Sequence, residues 1–372
     1  MNLFSGIANK WVAGQKPYQP GRPIEEVARE LGLADASGIV KLASNENAWG
    51  PSPKAQAAMR EAIGEMHRYP DGGSFYLRQA IAKRYGIRDD MVMIGCGCNE
   101  HAVFLVNAFM WEGDNLVASQ RSFVVYKLVS ELFLGTCTLV PMKGMTHDLD
   151  AMLAAIGPRT KVVVIGNPNN PTGTMLSQAE IDAFVDQVPD RVVTVFDEAY
   201  MELVDPAKQV DTLKHVKAGK KPVVTLRTFS KAYGLAGLRV GYAMAQPDGI
   251  DLLNKVRQPF NVNAMAQAAA TAALGDVEHL ERTRQLLHAG QRQLLDGLRA
   301  MGLEPVDTVT NFMMFHFAKA KELTAAMTRR QVIVRPLAGF GLPEYVRISV
   351  GTEEENAKCL LALADSLKEV AG

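Results

Sequence analysis

Lys231 stands in the string Thr228-Phe229-Ser230-Lys231-Ala232-Tyr233-Gly234-Leu235-Ala236-Gly237-Leu238-Arg239, just after an apolar, β-branched run at 222–226. A lysine held at a strand end can form a Schiff base with an aldehyde. The hydroxyls of Thr228 and Ser230 and the fork of Arg239 suit the oxygens of a phosphate ester. An aldehyde that carries a phosphate describes pyridoxal phosphate, whose ring draws off electrons while the protein binds and orients it. A lone lysine after a strand is most simply a surface residue, so the reading depends on the other strand ends.

Those ends carry matching chemistry. The runs 91–95, 115–119, 161–166, 191–196 and 222–226 are short, apolar and bounded by polar or turn residues, which predicts buried strands. In open α/β sheets, ligands bind at the carboxyl ends of the strands. After 161–166 comes Asn167-Pro168-Asn169-Asn170-Pro171-Thr172-Gly173, and after 191–196 comes Asp197-Glu198-Ala199-Tyr200. Asp197 can pair with a pyridine nitrogen and keep it protonated; as an isolated residue it would read as a helix cap. Tyr200 and Asn170 can hydrogen-bond the ring's phenolic oxygen, against a plain core role for the tyrosine. One such ending would be turn chemistry, but three in succession are hard to dismiss as turns.

The phosphate needs a cradle as well. The run 91–95 leads into Cys96-Gly97-Cys98-Asn99 and a helical pattern, so a glycine turn precedes a helix N-terminus, where free N–H groups and the helix dipole favour an anion. Thr228, Ser230 and Arg239 would complete it. Phe123, shortly after 115–119, is placed to stack on the ring, although a single phenylalanine is ordinarily core.

Short apolar runs alternating with longer helical patterns predict βα units and a mostly parallel sheet flanked by helices. An arm containing Pro17, Pro20, Gly21 and Pro23 precedes a helical stretch at 24–31, and a helical spacing covers 100–110. From Val262 the texture changes to a long Ala/Gln/Leu/Arg-rich stretch, 264–301, followed by strand-like runs near 312–317 and 332–334. The predicted division is therefore an arm and part of a smaller α+β domain at 1–44, a large cofactor-binding domain at 45–260, and the small domain at 261–372. The 40 basic and 40 acidic residues balance, which gives no electrostatic footprint for nucleic acid or anionic membranes. No apolar stretch approaches a membrane span, and residues 1–16 lack the pattern of a secretory signal. Cys96, Cys98, Cys137 and Cys359 are too scattered for a disulfide framework and lack a second pair for a metal, so reduced thiols in a cytoplasmic protein are expected.

Taken together the chain resembles the fold-type I, class II-like pyridoxal-phosphate-dependent aminotransferases, most closely the histidinol-phosphate aminotransferase group. The marks are Lys41-Leu42-Ala43-Ser44-Asn45-Glu46-Asn47, Arg68-Tyr69-Pro70-Asp71, Asn169-Asn170-Pro171-Thr172-Gly173, Asp197-Glu198-Ala199-Tyr200, Ser230-Lys231, Val334-Arg335-Pro336 and Arg347-Ile348-Ser349-Val350-Gly351-Thr352. The resemblance implies that Lys231 carries the cofactor and then moves the proton between substrate and cofactor carbons. It implies an obligate homodimer with shared sites, Tyr69 reaching the neighbouring subunit's cofactor phosphate. Arg347 would bind an α-carboxylate, Arg335 the second anion, and the segment containing Asn47 would close over the substrate. The implied reaction moves an amino group between glutamate and an imidazole-acetol phosphate type acceptor. An aromatic amino acid transaminase, a decarboxylase or lyase on the same scaffold, and a non-catalytic module are the alternatives. Two stretches depart from the group's pattern. Cys98 and Asn99 replace a small or hydroxyl residue and an acid in the cradle, and Trp49 stands where proline and small residues are usual.

Overall fold

The computed structural model describes residues 3–4, 6–15, 17 and 21–371; part of the N-terminal arm, including Pro20, lies outside them. The chain builds a seven-stranded sheet from β1 (Val92–Gly95), β2 (Asn115–Ser119), β3 (Thr136–Val140), β4 (Thr160–Gly166), β5 (Val193–Asp197), β6 (Val223–Thr228) and β7 (Gly241–Met244). Their order across the sheet is β1-β7-β6-β5-β4-β2-β3. All neighbouring pairs are parallel except those made by β7, which runs antiparallel to both β1 and β6. The carboxyl ends of β1, β2, β4, β5 and β6 consequently share one edge. Strands β1, β5 and β7 are buried throughout. They read as unbroken apolar runs because helices cover both faces of a mostly parallel sheet.

The five strands expected from sequence are all present, with ends shifted by at most three residues. Two more complete the sheet. β3 is an edge strand whose residues alternate little in polarity, and β7 follows directly on the lysine-bearing loop. The helical stretch expected at 264–301 is two helices, Ala264–Leu274 and Val277–Ala300, broken at Gly275 and Asp276. A second, three-stranded antiparallel sheet joins β8 (Phe312–His316), β9 (Arg335–Pro336) and β10 (Tyr345–Ser349) in the order β9-β10-β8. A two-stranded parallel pair of Val40–Lys41 with Val332–Ile333 ties the segment leading to Ser44 to this C-terminal part.

Two buried polar clusters hold the working edge of the large sheet. Arg227, one residue before the end of β6, donates from Nε to Oε2 of Glu198 (2.8 Å) and lies 3.5 Å from Oε1 of Glu202. Thr212 donates to the other Glu198 oxygen (2.6 Å), and Tyr242 to Glu202 (3.2 Å). Removing one member would leave an uncompensated buried charge, which costs roughly 3–5 kcal/mol. The second cluster centres on His147. Its Nε2–H donates to the Gly166 carbonyl at the end of β4 (2.8 Å), and its Nδ1 accepts from Ser119 Oγ at the end of β2 (2.6 Å). Both contacts suit a neutral ring, and burial lowers the His147 pKa to about 4.

The sign of the resulting pH dependence is fixed. The unfolded chain takes up the His147 proton near the ordinary 6.5 and the folded chain only near 4, so this stability is whole above pH 6.5 and lost as pH falls toward 4. The shift corresponds to about 3 kcal/mol. In urea melts from pH 7 to pH 4, wild type should lose that much more stability than His147→Gln. Parallel curves would remove His147 as the cause.

Candidate active site

The working edge opens into a cavity of about 410 Å³. Its lining brings together Cys98, Asn99, Phe123, Asn170, Asp197, Tyr200, Thr228, Ser230, Lys231, Arg239, Arg335 and Arg347, twelve of the residues singled out by sequence. Asn47 and Tyr69 do not line it. Asn47 donates its amide to the backbone carbonyls of Lys231 (3.2 Å) and Ala232 (3.0 Å) and thereby holds the lysine loop from outside. Tyr69 is 82% exposed and stacks on Phe260 with ring centroids 4.7 Å apart.

Strand register fixes the acid. Asp197 closes β5, opposite Gly166 of β4 and Leu226 of β6. Its carboxylate is buried and accepts from Tyr126 OH (2.8 Å) and the Ala199 amide (3.2 Å), with a further bond from the Cys98 thiol. Burial pushes its pKa up and these donors pull it back. The Cys98 thiol is itself held protonated, first by burial and then by the neighbouring Asp197. Tyr126 was not singled out by sequence. It sits in the first turn of the helix Val125–Leu132, three residues after Phe123, and its ring meets Phe123 edge-on at 5.8 Å. The only signal was an aromatic residue shortly after a strand end.

Lys231 lies just past β6, where the chain turns away through Gly234. A β-carbon at Gly234, whose φ is +67°, would meet the Gly50 carbonyl oxygen at 2.4 Å, so only glycine lets the loop pack on the 50–51 backbone. The Lys231 ammonium donates to the carbonyls of Asn45 (3.0 Å) and Ser44 (3.3 Å). Burial, followed by the charges of Arg347 and Arg239, lowers its pKa to about 8. Asn45, in a left-handed conformation at φ +52°, also donates its amide to Tyr200 OH (2.9 Å). Burial raises the Tyr200 pKa to about 12, opposed by Arg347 and Asn45. Asn45 thus joins the lysine to the phenol, a link that no linear spacing in the sequence announces.

The cradle forms where β1 meets the helix Cys98–Phe109. Gly97 caps this helix with φ +82°. A β-carbon there would lie 3.0 Å from Arg239 Nη2, and one on Gly241 would lie 2.9 Å from the Gly97 Cα. Glycine at both positions is what allows the two backbones and the guanidinium to converge. Among the described residues the amides of Cys98 and Asn99 have no acceptor, as expected at a helix start. Facing them, Thr228 Oγ1 donates to Ser230 Oγ (3.0 Å), which also receives Arg239 Nη1 at 3.4 Å. Backbone donors, two hydroxyls and a guanidinium are the donor set of a phosphate site. Backbone contacts from 98 and 99 would survive the cysteine and asparagine there, whereas a side-chain hydroxyl contact from 98 would not. A pyridoxal phosphate molecule fits this arrangement: cradle at one end, Asp197 at the other, Lys231 and Tyr200 alongside.

The opposite wall comes from the three-stranded sheet. Arg335 of β9 and Arg347 of β10 are direct cross-strand partners. Arg347 is buried, donates to Asn170 Oδ1 (2.5 Å) and the Ala43 carbonyl (2.9 Å), and lies over the Phe312 ring at 5.0 Å.

The family described as aminotransferase class I and II matches residues 37–363. The chain is 47% identical to a histidinol-phosphate aminotransferase of Thiobacillus denitrificans, over 100% of this chain and 96% of the relative. It is equally 47% identical to one of Akkermansia muciniphila, over 98% and 99%. Among solved structures, the histidinol-phosphate aminotransferase of Sinorhizobium meliloti in complex with pyridoxal-5'-phosphate superposes with a TM-score of 0.89 at 27% identity, covering 98% of both chains. A Thermus thermophilus aspartate aminotransferase shares the fold, with a TM-score of 0.84 at 24% identity.

Two experiments probe this geometry. Borohydride treatment of the cofactor-loaded protein, followed by peptide mapping, should place the label on Lys231, and Lys231→Ala should abolish it; a label on another lysine would overturn the assignment. In the cofactor-free protein, acylation of Lys231 followed by mass spectrometry should rise through about pH 8, whereas exposed lysines respond near 10.5.

Proposed function

The chain belongs to the class I and II aminotransferases, and on that footing we propose that it exchanges an amino group between L-histidinol phosphate and 2-oxoglutarate, yielding imidazole-acetol phosphate and glutamate. It is a pyridoxal-phosphate-dependent transaminase of histidine biosynthesis. The observation that carries the substrate reading is the Arg335/Arg347 pair. Two guanidiniums on facing strands line one cavity, which suits a pair of substrates that differ in where their negative charge lies.

Bound pyridoxal phosphate supplies an aldehyde that captures the substrate amine and a ring that stabilises negative charge at the reacting carbon. The rest falls to side chains. Cys98, Asn99, Thr228, Ser230 and Arg239 bind the cofactor's phosphate, and Phe123 covers one face of its ring. Asp197 keeps the ring nitrogen protonated, and Tyr126 OH and the Ala199 amide hold its carboxylate in place. Asn170 and Tyr200 face the phenolic oxygen. Lys231 Nζ would take the proton from the substrate's amine-bearing carbon and deliver it to the cofactor's aldehyde carbon. A pKa near 8 suits this task, since a general base works best when it titrates close to the operating pH. Arg347 binds the α-carboxylate of glutamate or 2-oxoglutarate, and Arg335 takes the substrate phosphate or the distal carboxylate. Asn47 serves the substrate indirectly, by fixing the loop that carries Lys231.

We place the enzyme in the cytoplasm as a homodimer with shared sites. Tyr69, exposed at the surface as are Phe75 and Tyr76 a few residues further along the chain, is suited to reach a neighbouring cofactor phosphate. Sedimentation should report the mass of two chains.

Asp197→Asn should retain the cofactor yet slow turnover by at least about 10²-fold, the usual scale for a lost electrostatic partner. Near-normal turnover would reduce Asp197 to a turn residue. Arg347→Ala should lower kcat/KM for glutamate by about tenfold or more, since a charged hydrogen bond contributes roughly 1.5–3 kcal/mol. Arg335→Ala should do the same for L-histidinol phosphate. If wild type ignores histidinol phosphate, and Arg335→Ala leaves phenylalanine turnover untouched, an aromatic transaminase replaces this reading.

A further inference from the structure

Behind the substrate side of the active cavity lies a second cavity of about 220 Å³, and both are lined by Phe123, Tyr126 and Phe340. Phe123 and Tyr126 meet edge-on at 5.8 Å, and Tyr126 is bonded to Asp197. Phe340 comes from the other wall. It is the last residue of a 3-10 turn, Ala338–Phe340, that begins two residues after β9. The turn is pinned at three points: Leu337 N donates to Tyr345 O (3.0 Å), while Phe340 N and Leu342 N donate to Leu337 O (2.9 and 3.1 Å). The Phe340 side chain is 7% exposed and packs with the buried Met314, Leu337 and Leu342. As a core residue alone it would complete that cluster. Its place on both cavities gives it a second position, as one of three aromatic residues, with Phe123 and Tyr126, that the two cavities share.

We propose that Phe340 is the specificity-determining residue for ring-bearing substrates: the substrate's ring lies against it, and it closes the active cavity toward the space behind. This rests on the reading that the amine substrate carries an aromatic ring. Arg335 on β9 and Phe340 at the end of the turn that follows stand five residues apart, so one short segment presents a cation for the phosphate and an apolar face for the ring. Elsewhere the cavity is rich in charge, with Lys231, Arg239, Arg347 and Asp197 around it. An aromatic ring gains most from this wall, because an offset or edge-on aromatic pair contributes beyond the apolar area it buries. Glutamate has no ring and makes little use of that face. Removing the Phe340 ring would join the two cavities and admit a bulkier group.

The test compares kcat/KM for L-histidinol phosphate and for L-tryptophan, each divided by kcat/KM for glutamate, in wild type, Phe340→Ala and Phe340→Leu. The division cancels a general loss of activity or folding. In Phe340→Ala the histidinol phosphate ratio should fall about tenfold or more, mainly through KM, and in Phe340→Leu about threefold, the scale set by pocket complementarity. The tryptophan ratio should rise in Phe340→Ala as the indole enters the joined space. Ratios within about twofold of wild type in both variants would overturn the proposal, as would a falling histidinol phosphate ratio with no gain on tryptophan, which marks a packing role only. Should the alanine variant be insoluble, the leucine variant decides by its histidinol phosphate ratio. If wild type ignores histidinol phosphate and accepts phenylalanine, the substrate reading fails by itself, and the same ratios measured with phenylalanine decide on Phe340.

Discussion

Asp197 sits opposite Gly166 on one side and Leu226 on the other, and this parallel register is what the rest of the site is built on. Side chains alternate along a strand, so a slip of one residue would send Asp197 to the far face of the sheet and bring Glu198 into its place. Two buried clusters oppose such a slip from the two sides of the edge. Arg227, bonded to Glu198 and near Glu202, ties β6 to the segment after β5. His147 spans the ends of β2 and β4. A buried ion pair is weak support for stability in general, but it is costly to break, and here breaking it is what a register shift would require. The clamp acts on position more than on total stability.

Charge in the cavity is equally constrained. The whole chain is formally neutral, yet four cationic side chains line this one cavity against Asp197 and Glu46, and Glu46 pairs with Lys41 at 2.9 Å. The attraction for anions is therefore local, and a concave low-dielectric site concentrates it. The same crowding of positive charge, added to burial, lowers the Lys231 pKa. One arrangement thus attracts anionic ligands and makes the lysine a better base near neutral pH.

The sheet was legible because buried parallel strands appear as unbroken apolar runs, and their ends announced themselves as amide, acid and lysine. The strands left out have physical reasons for their silence. β7 begins only two residues after Arg239, so the chemistry of that loop masked it, and β3 is an edge strand with four of its five residues at least partly solvent-accessible. Lys231, Asp197, Tyr200, Asn170 and Arg239 were readable as candidates from residue type and place, and the arginine pair only through the family resemblance. Tyr126 was not assigned a role, and Asn45 only a place in the segment expected to close over the substrate, since each acts through a partner 71 or 155 positions away, Asp197 and Tyr200 respectively. Asn47 carries a familiar motif into a different job, because its amide reaches backbone carbonyls and not the cavity. Tyr69 makes sense only once its exposure is seen.

The hydrogen bonds of the Lys231 ammonium have a mechanical meaning. That nitrogen holds the carbonyls of Ser44 and Asn45, while Asn47 and the glycine contact at 234 bind the same two stretches of chain from their other ends. A Lys231 nitrogen bonded to a cofactor would have no proton to spare for both of these carbonyls. Asn45 keeps its bond from Asn311, but Ser44 loses its donor. The stretch beside the cavity would then be held at Asn45 and released at Ser44, three residues beyond the strand that ties it to the C-terminal part. The state of one amine would in this way be linked to how firmly the backbone next to the substrate is held, a coupling by exchange of hydrogen bonds.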